Sequence, residues 1–192
     1  MKYFLGFAVI MAFFVSCGDG GEADKDVEFY ETDVPNADVL RVGIKDLEDS
    51  LMLLSEDQTA DRTLTNLVQQ AYVEKLKLMY RMYPEDKDAA HSLRKVYMMY
   101  SAMGAPELSV KYADSLVEKY PKYEEGWLAL QSNAMYYDME AKPRDKEKVR
   151  YYLEKLLKDY PNLDPQIIEQ VKSRLETIDL TFEELIQQNN PS

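Results

Sequence analysis

Beyond residue 36 the apolar side chains recur at intervals of three and four residues, which places them on one face of an α-helix. Leu40, Ile44, Leu47, Leu51 and Leu54 are the first such set. No stretch of this region alternates apolar and polar residues in the way of a half-buried strand. The fold class predicted is therefore all-α. Eight helices are expected, over 37–54, 61–83, 87–103, 106–120, 124–140, 143–160, 165–178 and near 181–188.

The helix over 61–83 carries an unusually wide band of apolar residues, which includes Leu64 and Leu67. A helix that is apolar over much of its circumference is expected to be covered on more than one side. We therefore predict that this helix is sandwiched between neighbours.

Prolines mark where the predicted helices begin and end. Pro106, Pro143 and Pro165 each open an apolar-periodic segment, where the missing amide hydrogen costs nothing. Three Tyr-Pro dipeptides each close one, namely Tyr83–Pro84, Tyr120–Pro121 and Tyr160–Pro161. The turns between helices are therefore short, which favours a solenoid of consecutive helices.

An internal period supports that arrangement. Leu93 and Trp127 are 34 residues apart, and Trp127-x-x-Leu130 resembles the opening of the tetratricopeptide pattern. The same frame in the preceding unit puts these residues at positions that the family prefers: Leu93, Val96, Tyr100, Gly104, Ser109 and Pro121. The 34-residue frame requires three extra residues near 85–88 and six near 138–144.

The resemblance implies a tetratricopeptide-like array of antiparallel helical hairpins, an α-solenoid of about seven or eight helices. It covers 87–161 closely and 37–83 loosely. An unrelated helical bundle whose helices happen to end in Tyr-Pro is the alternative.

The N-terminus has the three zones of a secretory signal. Lys2 supplies a positive charge, residues 4–15 are apolar or glycine throughout, and Ser16 and Gly18 are small. The apolar run is too short to span a bilayer as a permanent helix. The segment from Phe14 to Cys17 resembles the lipobox of bacterial lipoproteins, with Phe14 where that motif usually has leucine. The resemblance implies a signal peptide over 1–16 and a lipid on Cys17, the only cysteine of the chain.

Residues 17–36 are expected to form a tether. Gly18, Gly20 and Gly21 alternate there with acidic residues, a composition that cannot bury enough apolar surface to fold. Acidic tracts after the lipidated cysteine resemble the surface-export signals of Bacteroidota lipoproteins, although such a linker can also serve only to keep the body soluble. The expected location is the cell envelope, in the outer membrane rather than the inner. The helical repeat domain is then 37–192.

Charge and side-chain chemistry exclude several classes of function. The 192 residues include 23 basic and 35 acidic residues, a net charge of −12, which argues against nucleic acid and anionic lipid as partners. His91 and Cys17 are the only histidine and the only cysteine of the chain. A zinc site, a Cys-His centre or a Ser-His-Asp centre would therefore need ligands or bases that the chain lacks. The adjacent pairs Glu124–Glu125 and Glu183–Glu184 point in different directions on a helix. We expect no enzyme, no cofactor and no bound metal.

The tetratricopeptide resemblance also implies where a partner binds, because the first helix of each repeat lines the groove in that family. The positions concerned are His91, Arg94, Met98, Ser101, Glu125, Leu128, Ser132 and Met135. Their mixture of charges and adaptable methionines suits a peptide strand or helix. The expected function is a protein–protein interaction module, a scaffold or adaptor, at the bacterial envelope.

Other interpretations stay open at this point. The tyrosines could stack on sugars, as in the helical starch-binding lipoproteins of Bacteroidota, although aromatic residues at helical spacing more often build a core; they are Tyr97, Tyr100, Tyr112, Tyr136, Tyr137, Tyr151 and Tyr152. A basic cluster could dock an acidic partner, although it could equally be a solvated helix start; its members are Lys142, Arg144, Lys146, Lys148 and Arg150. A role in envelope assembly rests on resemblance to the outer-membrane assembly lipoproteins. The sequence leaves open the partner, the leaflet and the oligomeric state.

Overall fold

The computed structural model describes residues 35–57 and 59–189. The described residues are all-α, as predicted, and contain no strand. The eight helices are α1 (Ala37–Glu56), α2 (Arg62–Met82), α3 (Ala89–Ala102), α4 (Pro106–Lys119), α5 (Gly126–Met135), α6 (Lys146–Asp159), α7 (Pro165–Glu176) and α8 (Phe182–Asn189). Within the described ranges, none is long and apolar enough to cross a membrane.

Local signals account for most helix starts. The Asn36 side chain accepts a hydrogen bond from the Val39 amide, which satisfies one of the free donors of the first turn of α1. Pro106 and Pro165 occupy the first turns of α4 and α7, as predicted. The expectation for Pro143 is wrong: α6 begins three residues later, at Lys146, because Asp145 is its N-cap and accepts from the Lys148 amide at 3.0 Å.

The three Tyr-Pro sites end their helices in the same way. Tyr83, Tyr120 and Tyr160 have nearly identical backbone angles, with φ of −129°, −126° and −127° and ψ of 58°, 63° and 59°. Each tyrosine amide donates to the carbonyl four residues earlier in its helix. A residue that precedes proline is forced out of the helical conformation, which explains the common stop.

The hydroxyl groups of these tyrosines close the hairpins. Tyr83 donates to the carbonyl of Pro35 at 3.0 Å and Tyr120 to that of Pro84 at 3.1 Å. Tyr160 donates to the carbonyl of Tyr123 at 3.2 Å. In each case the end of one helix is tied to the turn before the preceding helix. The pairs α1–α2, α3–α4 and α5–α6 are therefore antiparallel hairpins, and each helix from α1 to α6 packs on the next one in sequence.

The turns before α3 and α5 give the internal register, and it differs from the predicted 34 residues. Asp86 and Ala89 make the same two backbone hydrogen bonds that Tyr123 and Gly126 make 37 residues later. The three extra residues expected near 85–88 are therefore absent. In the 37-residue register Leu93 corresponds to Leu130, and both are completely buried.

In this register Trp127 corresponds to Ala90 rather than to Leu93. Trp127 is partly buried and packs against the core, whereas the central inward position of α5 belongs to Leu130. The tryptophan is therefore a packing residue beside the core. The 34-residue frame had matched Trp127 to Leu93, but the residue that takes the place of Leu93 in α5 is Leu130, one turn later.

The third hairpin contains an insertion of three residues where six were predicted, and two stacked tyrosine pairs locate it. Tyr100 stacks on Tyr112 with ring centroids 5.2 Å apart, and Tyr137 stacks on Tyr152 at 5.8 Å. The first pair spans twelve residues of sequence and the second fifteen. The additional residues lie where α5 widens into a π-helix, Tyr136–Glu140, before the turn that leads to α6. Such widened turns accommodate inserted residues within a helix.

Burial is uneven along the first hairpin. The buried side chains of α2 all lie between Tyr72 and Tyr80, and residues 45–71 contain no buried residue among those described. Leu64 and Leu67 are exposed, so the prediction that α2 is covered on both sides is wrong for its first half.

Candidate functional site

The lipidation site predicted at Cys17 lies outside the described residues, as do the signal peptide over 1–16 and all but the last two residues of the tether over 17–36. The candidate site in the described part is therefore the surface formed by the first helices of the hairpins, α3 and α5.

Five of the eight predicted partner-binding residues line one groove between α3 and α5. Its volume is about 400 Å³. From α3 come Arg94, Met98 and Ser101, and from α5 come Leu128 and Ser132; Tyr97 and Ala102 complete the lining. The spacing of three and four residues on each helix brings these side chains to a common face.

His91 and Glu125 lie next to this groove, where they form a chain of polar contacts. The Tyr123 hydroxyl donates to Glu125 at 2.9 Å and lies 3.3 Å from Nδ1 of His91. Nε of Arg94 lies 3.4 Å from a Glu125 carboxylate oxygen. Arg94 and Glu125 therefore neutralise each other at the groove entrance.

Two pKa values reflect this environment. Burial and the neighbouring Glu125 carboxylate raise the pKa of Tyr123 to about 12, so its hydroxyl stays protonated. Desolvation and the charges of Lys95 and Arg94 lower the pKa of His91 below its ordinary value. The histidine is therefore neutral at physiological pH and can serve as a hydrogen-bonding group.

Met135, the eighth predicted residue, lies apart from the other seven. It lines a second cavity of about 310 Å³ between α5, α6 and α7. Val149, Leu153 and Val171 supply apolar walls, and Met139 of the π-helix lies beside Met135. The two cavities follow one another along the first helices of successive hairpins.

The polar edge of the second cavity is an ion-pair network that the sequence did not reveal. Asp138 accepts hydrogen bonds from Arg174 at 2.6 and 2.7 Å and from Arg144 at 2.8 Å. Burial alone would raise the pKa of Asp138, but the hydrogen bonds from Arg174 and Arg144 outweigh it and hold that pKa below its ordinary value. The sequence offered no signal for this network, because Arg174 is 36 residues from Asp138.

Contacts within the chain account for three members of the basic cluster at 142–150. Arg144 donates to Asp138 and to the carbonyl of Ile178, and Lys146 pairs with Asp179 at 2.9 Å. Lys148 lies over the ring of Tyr137, 4.2 Å from its centroid. Three of the five cluster members are therefore engaged within the chain, which fits a structural role better than a docking spot.

Most of the tyrosines considered as a sugar platform belong to the core. Tyr97, Tyr112 and Tyr152 are buried, as the packing interpretation predicts. Tyr100 and Tyr137 are partly buried against them, and only Tyr151 of the seven is largely exposed. A flat array of exposed rings is not formed by the seven residues.

One further polar cluster lies between α4, α5 and α6. The Asp114 carboxylate accepts from the Tyr152 hydroxyl at 3.0 Å and from the Asn133 amide at 2.9 Å. Burial raises the pKa of Asp114, against these two hydrogen bonds. The three residues form hydrogen bonds with one another inside the helix packing, an arrangement that joins α4 to α5 and α6. Among residues 35–57 and 59–189 no group of three metal-ligating side chains comes together.

No family model, curated protein or solved structure matches this chain.

Proposed function

We propose that the chain is an exported bacterial lipoprotein whose helical body is a tetratricopeptide-like array that binds another protein or peptide. The repeated closure of three hairpins by Tyr83, Tyr120 and Tyr160 supports the array, because it is a structural unit used three times. Stacked hairpins of this kind provide extended binding surfaces without needing a catalytic centre.

The groove between α3 and α5 is the observation that carries the binding proposal. Five of the eight residues that the tetratricopeptide resemblance implies line one cavity there, and Met98 is exposed over 45% of its surface. An exposed, unbranched methionine can adapt to different partner side chains. Ser101 of α3 and Ser132 of α5 are polar residues of the lining, and their hydroxyl groups can donate and accept hydrogen bonds with a peptide backbone.

The proposed envelope location rests on the N-terminal pattern. It is tested by replacing Cys17, the predicted site of lipid attachment. Cells fed an alkyne-labelled palmitate should incorporate the label into the wild-type chain and not into Cys17→Ser, while Ser16→Ala serves as the matched control that keeps the cysteine. Lipid chains contribute about 0.8 kcal/mol per buried methylene, so the label should coincide with membrane attachment. A Cys17→Ser chain that is still cleaved and still resists carbonate extraction from membranes would contradict the proposal.

The groove is tested with a photo-crosslinking amino acid in place of Ser132, and the intact cells are irradiated. A discrete crosslinked partner should disappear when Met98→Asp and Ser101→Arg block the groove. Arg94 is left unchanged in this test because its pairing with Glu125 makes it part of the fold. Far-UV circular dichroism and thermal melting should be unchanged, since both substituted side chains are exposed.

The matched control is Lys142→Ala with Arg150→Ala, which removes basic charge without touching the Asp138 network. Capture that survives the groove block and disappears in this control would place the partner at the basic cluster and contradict the proposal. Binding of the purified chain to soluble glycans, with none to peptide arrays, would favour glycan capture instead.

A further inference from the structure

The burial pattern of α3 repeats in α5, which makes the two helices comparable residue by residue. In the register of 37 residues, Leu93 corresponds to Leu130 and Tyr100 to Tyr137. Both tyrosines stack on a tyrosine in the second helix of their own hairpin. Across residues 89–100 every buried position of α3 is matched by a buried position of α5. The groove between α3 and α5 and the second cavity are therefore equivalent places in successive hairpins.

The matched buried positions differ most in size where α3 has Tyr97 and α5 has Ala134. Tyr97 is buried and lines the groove. Ala134 is buried and lines the second cavity. Because an alanine side chain ends at Cβ, α5 does not fill the space that a tyrosine ring of α3 fills in the second hairpin.

Residues of α6 take up part of that space. Val149 and Leu153 line the second cavity, and the register of the stacked tyrosines puts them where α4 has the smaller Ser109 and Ala113. A cavity of about 310 Å³ remains. An apolar cavity of roughly 150 Å³ is enough to bind benzene. The second cavity therefore has room for one aromatic ring.

The side chains at the rim of the second cavity suit an aromatic ring. Met135, Met139 and Phe182 line it and are exposed, whereas Val149 and Val171 at its floor are buried. A thioether sulfur makes favourable contacts with an aromatic ring, and so does a second aromatic ring. A ring that enters between these rim residues would bury apolar surface on both sides.

The charged groups at the edge of the cavity are engaged with one another. Arg174 donates through Nε and one Nη to Asp138, and its guanidinium also donates to the carbonyls of Thr177 and Leu180. The Asp138 side chain is only 8% exposed. A charged ligand would have to compete with this network, and removing one partner of a buried ion pair is costly. The cavity therefore favours an uncharged ring.

Two glutamine side chains indicate where the ring comes from. Gln131 of α5 is half-buried, Gln170 of α7 is exposed, and both line the cavity. Neither side-chain amide forms a hydrogen bond within the described part of the chain. A primary amide both donates and accepts, which complements the peptide groups on either side of an aromatic residue. A peptide can therefore place its ring in the cavity and its backbone against these amides.

We infer that the second cavity binds a phenylalanine or tyrosine side chain of the partner peptide. The inference rests on the proposed function, since the peptide is the one assigned to the groove. Ser132 lines the groove and Gln131 lines the cavity, so only α5 separates the two places. Packed helices lie about 8–10 Å apart, and an extended chain advances about 3.3 Å per residue. The aromatic residue should therefore lie about three positions from the segment in the groove.

The test follows the methyl groups of Met135 and Met139 by NMR of isotope-labelled methionine. It uses the chain from Gly18 onward, which retains all eight helices. The probes are the N-acetyl amides of phenylalanine, tyrosine and leucine, and the free compounds toluene and p-cresol. The two aromatic amides should shift both methyl resonances through their ring currents. They should bind at least about fivefold more tightly than the leucine amide, because ring contacts add to burial.

Ala134→Tyr fills the cavity with the residue that α3 carries at the matched position. This variant should abolish the binding of both aromatic amides. The matched control is Ala102→Tyr, which adds the same side chain at an exposed position of α3 and should leave the binding unchanged.

A second variant does not depend on packing a new ring inside the chain. Met139→Asp places a charge at an exposed position of the rim, so the Met135 resonance should report binding that is weaker by about tenfold or more. Met98→Asp makes the same change at an exposed methionine of α3 and should leave the binding of the amides unchanged. Circular dichroism and thermal melting show whether each variant is folded.

Three results would overturn the inference. These are equal binding of the leucine amide, binding that survives both Ala134→Tyr and Met139→Asp, or shifts with toluene or p-cresol and none with the amides. The last result would assign the cavity to a small aromatic molecule. Crosslinking at Ser132 tests the proposed function separately. A partner captured there without amide binding would contradict this inference alone, whereas amide binding without a captured partner would contradict the proposed function.

Discussion

At the scale of single residues, Asp138 has a structural role that the sequence pattern did not indicate. Two arginines from different parts of the chain, Arg144 and Arg174, meet on its carboxylate. Both also donate to carbonyls of the turn after α7, at Ile178, Thr177 and Leu180. Asp138 thus compensates two positive charges that fix the C-terminal turn against the π-helix.

Replacing Asp138 by asparagine should lower the free energy of unfolding by about 3 kcal/mol, because it leaves two largely buried guanidinium groups without a counter-charge. Urea denaturation followed by circular dichroism measures the loss. The exposed pair between Asp179 and Lys146 provides the control, since solvent screens this surface pair and Asp179→Asn should lower the free energy of unfolding far less than Asp138→Asn does. Equal losses in the two variants would show that the network contributes no more than a surface ion pair.

Replacing Asp114 by asparagine should raise the stability of the fold, whereas the same replacement at Asp138 lowers it. Its pKa is raised by burial, so the ionised carboxylate destabilises the folded chain, and stability is lost as the pH rises through that raised pKa. Oδ1 of the buried Asn133 has no hydrogen-bond partner among the described residues, whereas an amide at position 114 could supply one. Asp114→Asn should therefore melt at a higher temperature than wild type at pH 7.

The advantage of Asp114→Asn should shrink as the pH falls below the raised pKa of Asp114, because the wild-type carboxyl is then protonated and no longer carries a buried charge. Thermal melts from pH 4 to pH 8 measure it, with the exposed Glu118→Gln on the same helix as the control. An advantage that is the same at pH 4 and pH 7 would mean that packing, rather than charge, is responsible.

At the scale of the helices, the Tyr-Pro sites do more than stop a helix. The proline forces the stop, and the tyrosine hydroxyl then ties that end to the turn that begins the hairpin. Gly126 belongs to the same joint, because a Cβ at this position would collide with the Tyr160 hydroxyl. A glycine at the start of α5 is thus explained by a tyrosine 34 residues later.

A double-mutant cycle tests this joint. Tyr160→Phe should cost about 1 kcal/mol, the net value of one hydrogen bond. Gly126→Ala should cost more in the wild type than in the Tyr160→Phe background, because the colliding hydroxyl is absent there. Tyr120 closes the neighbouring hairpin, so Gly126→Ala combined with Tyr120→Phe should give additive losses in the free energy of unfolding. Additive losses also in the combination with Tyr160→Phe would show that Gly126 and Tyr160 are not energetically coupled.

At the scale of the whole helical unit, stability is expected to be unequal along the chain. The second half of α2 is buried against α3, whereas residues 45–71 have no buried side chain among those described. Regions with few buried apolar contacts open at lower free energy than the core. The end of the first hairpin is therefore expected to open before the rest of the helical unit.

Hydrogen exchange can compare the two halves of a single helix. Amides of residues 64–70 should exchange roughly tenfold or more faster than those of residues 76–82, because only the second half is held by core packing. The comparison has its own control, since both segments share one helix and one solvent. Uniform protection along α2 would contradict this unequal stability.

The sequence by itself determined the number of helices, their approximate ends and the residues that share a helical face. These are local properties, since a period of three and four residues, a proline at a helix start and a tyrosine before a proline act over a single turn. The same locality explains why Arg94, Met98 and Ser101 could be grouped before the groove was seen.

Only the tertiary structure decided which faces meet and what lies between them. The register of 37 rather than 34 residues depends on turns whose hydrogen bonds are not visible in a residue pattern, and it moved the central position of α5 from Trp127 to Leu130. Asp138 pairs with Arg174, which is 36 residues away in the sequence. Leu67 is exposed because no other helix covers the first half of α2 among the described residues. Periodicity identifies an apolar face, but burial requires a neighbour, and the neighbour is a property of the fold.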